Sequence, residues 1–154
     1  MLKEKINENL MVAMKSGDAF AVEVLRGLNA VLHNKEIEKR SKEGEDELTD
    51  EEVVEVLSRE VKKRKEAVEL YKQGNRPELA EKEEKEMVII QKYLPEQMSE
   101  EEVEKVVNEQ IKILRSAQND GESSFGNVMK AVMAELKGKA DGKVVSEIIK
   151  EKLQ

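Results

Sequence analysis

The sequence predicts an all-α protein. Three observations carry that prediction. Apolar residues recur at helical steps of three and four along nearly the whole chain. Thr49 with Glu52 and Ser99 with Glu102 form capping boxes, in which hydroxyl and carboxylate each satisfy an orphan backbone donor at a helix start. No run alternates with period two, so no strand is expected. The expected architecture is an N-terminal helical part with a long antiparallel helical hairpin, followed by a small three-helix C-terminal domain.

The composition makes patterning decisive. Of 154 residues, 40% are charged, 38% apolar and 3% aromatic. A core forms from so few apolar side chains only if they are placed regularly, and their regularity argues against disorder. The absence of cysteine excludes disulfides, thiolate metal sites and cysteine nucleophiles. No apolar run approaches the roughly 20 residues that span a bilayer. The opening residues Met1–Ile6 lack a signal-peptide core, so a cytoplasmic protein without membrane contact is expected. Net charge is −7. Residues 1–95 hold 18 Lys/Arg against 22 Asp/Glu, and residues 96–154 hold 9 against 12. Neither half is a basic domain, so bulk charge does not point to nucleic acid. Within Ser124–Gln154, however, 6 lysines face 4 acids.

The elements follow in order. Leu2, Ile6, Leu10 and Met14 give a first helix ending at Ser16-Gly17. Asp18 caps a second, whose stripe is Ala21, Leu25, Leu28 and Leu32 and which runs on through Asn34–Arg40. Ser41–Leu48, with Gly44 and acids around it, reads as an exposed loop. The box at Thr49 opens a long helix with Val53, Leu57, Val61, Val68 and Tyr71 inward and Arg64 interrupting. Gly74-Asn75 stops it, and Pro77 suits the first turn of a fourth helix carrying Leu79, Met87, Ile90 and Leu94. Pro95 lies at the joint, giving a four-helix part over 1–94 and a three-helix part over 95–154. The second part opens with Val103, Val106, Val107, Ile111 and Leu114 on one face, followed by a polar loop Arg115–Ser123 with Asn119-Asp120-Gly121. Phe125, Val128, Met129, Val132, Met133 and Leu136 then mark the sixth helix. Gly138 is its expected C-cap, Asp141 the next N-cap, and Val144, Val145, Ile148, Ile149 and Leu153 the last stripe. Glu-to-Lys/Arg pairs four apart recur, among them Glu36–Arg40, Glu55–Arg59, Glu60–Arg64 and Glu81–Lys85.

No catalytic constellation is visible. His33 is the one histidine and has no second ligand or nucleophile at helical spacing. Glu100-Glu101-Glu102 sits at a helix start, where carboxylates favour the dipole, so a metal is not expected there. Ser123 and Ser124 read as N-cap residues, and no cofactor pattern is present. Lys62-Lys63-Arg64-Lys65 spreads around a helix and reads as solvated surface. Lys35, Lys39 and Lys42 share one side, diluted by Glu36, Glu38 and Glu43. Met129 and Met133 fill a core or, if exposed, offer an adaptable partner surface. The best ligand candidate is the turn in which Lys137, Lys139 and Lys143 surround Gly138 and Gly142. Exposed amides at a helix start with flanking lysines hold phosphate. Asp141 opposes this, because as a cap it occupies those amides and repels an anion.

The chain resembles the YqeY family, the GatB/YqeY domain proteins. The resemblance is carried by Asn34–Arg40, Leu48–Val53, Lys62–Ala67, Lys92–Gln97 and above all Phe125–Met129 with Leu136–Lys143. It implies an all-helical fold whose 95–154 part is similar to the C-terminal tail of the B subunit of the glutamine-dependent tRNA amidotransferase, where that tail helps hold the tRNA body. It also implies a family label of carbon–nitrogen ligase with glutamine as amido donor. The chain offers no glutaminase nucleophile paired with a base, so the expectation is a non-catalytic accessory that binds tRNA or a tRNA-handling complex. Lys137, Lys139 and Lys143 would then contact the RNA backbone. A helical protein-interaction module is the alternative, and an amidotransferase-class enzyme a further one.

Overall fold

The computed structural model describes residues 1–117 and 124–154. The Asn119-Asp120-Gly121 segment and Ser123 lie outside the described residues. Seven helices are present among those described, and no strand: α1 (Leu2–Ser16), α2 (Ala19–Glu43), α3 (Asp50–Gln73), α4 (Pro77–Gln91), α5 (Glu100–Ser116), α6 (Phe125–Glu135) and α7 (Gly142–Leu153). The protein is all-α, as its periodicity requires. Contacts within the chain divide it into two units, Met1–Leu94 and Pro95–Gln154.

In the first unit, Ile6, Leu28, Leu32, Val53, Leu57 and Ile90 form a core from all four helices. Tyr93 is buried with them, and its hydroxyl accepts from Asn9 Nδ2 at 2.6 Å. Asp18 caps α2 by accepting from the Ala21 N–H at 3.1 Å. The box at Thr49 is complete: its N–H donates to Glu52 Oε2 at 2.8 Å and its Oγ1 accepts from the Glu52 N–H at 3.2 Å. Met14 departs from its expected role, being 52% exposed while Ala13 is buried. Steps of four advance 400°, or 40° past a full turn, so a run of such steps rotates Met14 away from Ile6, whereas Ala13 stays aligned with it. Leu79, in the first turn of α4, is also exposed.

The expected 41–48 loop needs correction. Ser41–Glu43 continue α2, and Leu48 is buried in the core. Lys39 is the reason the segment is fixed. Its ammonium, itself buried, donates to the Glu47 carbonyl at 3.0 Å and to Glu52 Oε2 at 2.9 Å. One carboxylate therefore caps α3 and anchors α2. Glu36 and Arg40 do not pair as their spacing suggests. Glu36 meets Lys3 of α1, and Arg40 meets Asp46. The Glu55–Arg59, Glu60–Arg64 and Glu81–Lys85 pairs do form.

Arg64, which interrupts the α3 stripe, is neutralised from both helices. It reaches Glu60 Oε2 at 2.9 Å within α3 and Glu86 Oε2 at 3.3 Å on α4. Burial pushes the Glu60 carboxyl up, but hydrogen bonds from Arg64 and Lys63 outweigh it and hold the group below the usual range. Glu83 has less relief: burial, then the neighbouring Glu86 carboxylate, push it up, and the charges of Arg64 and Lys82 offset this only in part.

The second unit has an aliphatic core of Val103, Val107 and Ile111 from α5, Val128, Val132 and Leu136 from the α6 segment, and Val145 and Ile149 from α7. Met129 and Met133 are half-buried and pack against it, which favours their core-filling role. Ser99 and Glu102 complete the second capping box, with Glu102 Oε2 accepting from the Ser99 N–H at 2.8 Å and Ser99 Oγ from the Glu102 N–H at 3.3 Å.

The raised Glu83 carboxyl gives a pH test. An acid whose folded pKa is raised destabilises the folded state once it is ionised, and the penalty vanishes below its unfolded value. Glu83→Gln should therefore raise Tm at pH 7, with the gain disappearing as pH falls below about 4.3, where wild type is protonated in both states. Calorimetry across pH 3–8 checks it; an equal gain at both ends would contradict the electrostatic cause.

Candidate nucleic-acid interface

The lysine-flanked turn is built by the end of α6. Leu136 is 1% exposed and fixes the chain against the core. Gly138 follows at φ 74°, a conformation that a Cβ disfavours, so the backbone reverses there. The Lys139 N–H donates back to the Leu136 carbonyl at 2.8 Å. Asp141 then starts α7, its Oδ1 accepting from the Lys143 N–H at 2.9 Å. The N-cap role read for Asp141 is present, whereas the C-cap of α6 is Leu136, two residues before Gly138, whose left-handed conformation belongs to the turn itself.

The turn is also held from outside. The Met98 N–H donates to the Lys139 carbonyl at 2.8 Å, and Gln97 Nε2 donates to the Gly138 carbonyl at 2.8 Å. Periodicity gives no sign of this clamp, because it uses backbone carbonyls. The structure brings Lys137, Lys139 and Lys143 to one short segment with all three side chains exposed, while Gly138, Gly142 and Asp141 are half-buried between them. Since Asp141 already accepts from a helix-start amide, an anion here would meet lysine ammonium groups rather than a free ring of N–H donors.

The other cationic candidates differ among themselves. Lys35 and Lys42 both turn to Glu38, and Lys39 is buried in its ion pair. Lys62, Lys63 and Lys65 are exposed, whereas Arg64 is not. His33 is exposed and lies 3.6 Å from Glu36. Of the Glu100–Glu102 run, Glu102 is committed to Ser99, and its hydrogen bond from that backbone N–H holds its carboxyl below the usual range. Among the described residues no group of three His, Cys, Asp or Glu side chains is placed to hold a metal, and no helix is long and apolar enough to cross a membrane.

Fold and site thus define an all-helical protein with a cationic turn between its last two helices. It belongs to the Yqey-like protein family, whose model matches residues 3–153. The chain is 28% identical, over 152 residues, to Altered inheritance of mitochondria protein 41, mitochondrial, of Pyrenophora tritici-repentis, a match covering 97% of this chain and 77% of that one. It is 34% identical over 98 residues to an uncharacterized protein of Schizosaccharomyces pombe, covering 64% and 76% respectively. It is 45% identical over 58 residues to a glutamyl-tRNA(Gln) amidotransferase subunit of Methanocaldococcus jannaschii. That stretch is 37% of this chain but 9% of the amidotransferase polypeptide. The kinship to tRNA amidotransferases read from the motifs is thereby supported.

The two turn glycines should behave differently. Gly138→Ala should cost about 1 kcal/mol, because Ala resists positive φ. Gly142→Ala should be neutral or stabilising, since a Cβ there meets Met133 Cε at an ordinary 3.9 Å. Urea unfolding of the whole chain measures both, and equal losses would refute the conformational argument.

Proposed function

We propose that this protein is a non-catalytic accessory that binds tRNA, or a complex handling tRNA, through its unit 95–154, with unit 1–94 as an added helical domain. The observation that carries this reading is the 45% identity over 58 residues to an amidotransferase polypeptide named for its glutamyl-tRNA(Gln) substrate. Supporting it, Lys137, Lys139 and Lys143 lie exposed along one clamped turn. Contact through lysines on a helical surface suits recognition of RNA by shape and backbone rather than by base sequence. Glu96–Glu109 holds half of the acids in residues 96–154, so the α6–α7 pair keeps a positive balance within an acidic chain. We assign this action to the cytoplasm. Glutamine-dependent amidation of misacylated tRNA by the purified chain should be undetectable.

Filter binding of tRNA across 50–300 mM salt tests the reading. Lys139→Gln and Lys143→Gln should each weaken binding and lower the slope of log K against log salt by roughly 0.7 to 0.9, one phosphate contact apiece. Asp141→Asn keeps a capping oxygen while removing the charge, so it should leave stability nearly unchanged and tighten tRNA binding at low salt. No binding at low salt, or binding without a salt slope, would sink the proposal.

A further inference from the structure

Aromatic side chains are scarce here, two Phe and two Tyr in all. Phe20 packs against the first core, Tyr93 is buried and Tyr71 half-buried. Phe125 is the exception at 39% exposure, although it opens the apolar stripe of α6. The core of its unit is complete without it, closed by aliphatic side chains. Lys150 of α7 lies over its ring, Nζ 5.9 Å from the centroid. The exposed aromatic thus carries a cation at its face.

Position adds to this. The 11 residues of α6 span about 16 Å, so Phe125 marks the end of that helix opposite the lysine-flanked turn. Lys150, late in α7, lies over the ring of Phe125 at the start of α6, so α6 and α7 run antiparallel. Lys143, Glu147 and Lys150, at steps of four and three, share one exposed face of α7 that leads from the turn toward Phe125. Cations stand at both ends of that face, with Glu147 between them.

We infer that Phe125 and Lys150 form a second contact point for RNA, Phe125 stacking on an unpaired base and Lys150 meeting the adjoining phosphate. This rests on the reading of the protein as a tRNA binder. The π face of a base stacks on an aromatic ring whatever its sequence, and a neighbouring cation serves the backbone. A span of about 16 Å corresponds to about five stacked nucleotides at 3.4 Å each. The lysine turn would grip backbone at one end, and Phe125 would select unpaired structure at the other.

The test uses the full chain with a tRNA transcript and a blunt RNA duplex of equal length. Phe125→Leu should weaken tRNA binding about tenfold with the salt slope unchanged, and leave duplex binding as in wild type. Phe125→Tyr should retain tRNA affinity, while Lys150→Gln should lower both affinity and slope. The chain has no tryptophan, so Phe125→Trp supplies a fluorophore at this site alone. Its emission should be quenched as tRNA saturates, even if Phe125→Leu folds poorly. If wild type binds tRNA but the Phe125→Trp emission is unmoved, or Phe125→Leu weakens duplex and tRNA binding equally, the stacking contact is refuted and the tRNA reading survives. If wild type binds no tRNA, both fall.

Discussion

The α6–α7 turn depends on two hydrogen bonds that neither helix makes. Met98 and Gln97 donate to the carbonyls of Lys139 and Gly138, and the next residue, Ser99, caps α5. Three consecutive residues therefore close the turn and start the helix packed beneath it. This matters because the unit is small and its core entirely aliphatic. A domain of about 60 residues buries a modest fraction of its surface and is only marginally stable. A few well-made hydrogen bonds then decide whether a turn is fixed. For the proposed ligand contact, a fixed backbone would leave only the lysines' side-chain freedom to be lost, which is where preorganisation lowers the cost of association.

Helix existence was legible from the stripes, and at α2, α3, α5 and α7 also from an N-cap side chain. Thr49, Ser99, Asp18 and Asp141 are recognisable from residue type and spacing, and each performs its expected backbone task, whereas Gly138 serves the turn and Leu136 is the C-cap of α6. What stayed hidden depends on tertiary neighbours. Lys39 looks like any surface lysine in sequence, and its burial follows from the arrival of Glu52 and the Glu47 carbonyl. Glu36 would pair with Arg40 on an isolated helix, but Lys3 of α1 is there instead. At the candidate site, the lysines, glycines and Asp141 could be read directly. The clamp from Gln97 and Met98 could not, because a backbone carbonyl leaves no mark in the sequence.

With 40% charged residues, charge itself says little about partners. Much of it is matched inside the protein. Lys35, Lys39 and Lys42, which look like a patch, are each answered by a carboxylate, as is Arg64 by two. The exposed pair among them, Lys42 with Glu38, contributes little stability by itself. All of these pairs remove cations from the field an approaching polyanion would feel. The same holds within the positive balance of residues 124–154, where Lys152 is matched by Glu104 of α5 at 2.5 Å.

Asp141 defines what kind of site the turn can be. A phosphate pocket at a helix start works by offering unsatisfied amides in a ring. Here the Lys143 amide is already satisfied by Asp141 Oδ1, and the carboxylate sits among the lysines. A compact phosphate would meet one negative charge for every few positive ones, so a single tight subsite is disfavoured. An extended polyanion behaves differently. It can use Lys137, Lys139 and Lys143 separately, keep its phosphates away from Asp141, and add contacts elsewhere on α6 and α7. Linked weak contacts gain through effective concentration. The same carboxylate that argues against a phosphate pocket is compatible with a long ligand, and in the proposed site it would disfavour a compact anion more than an extended one.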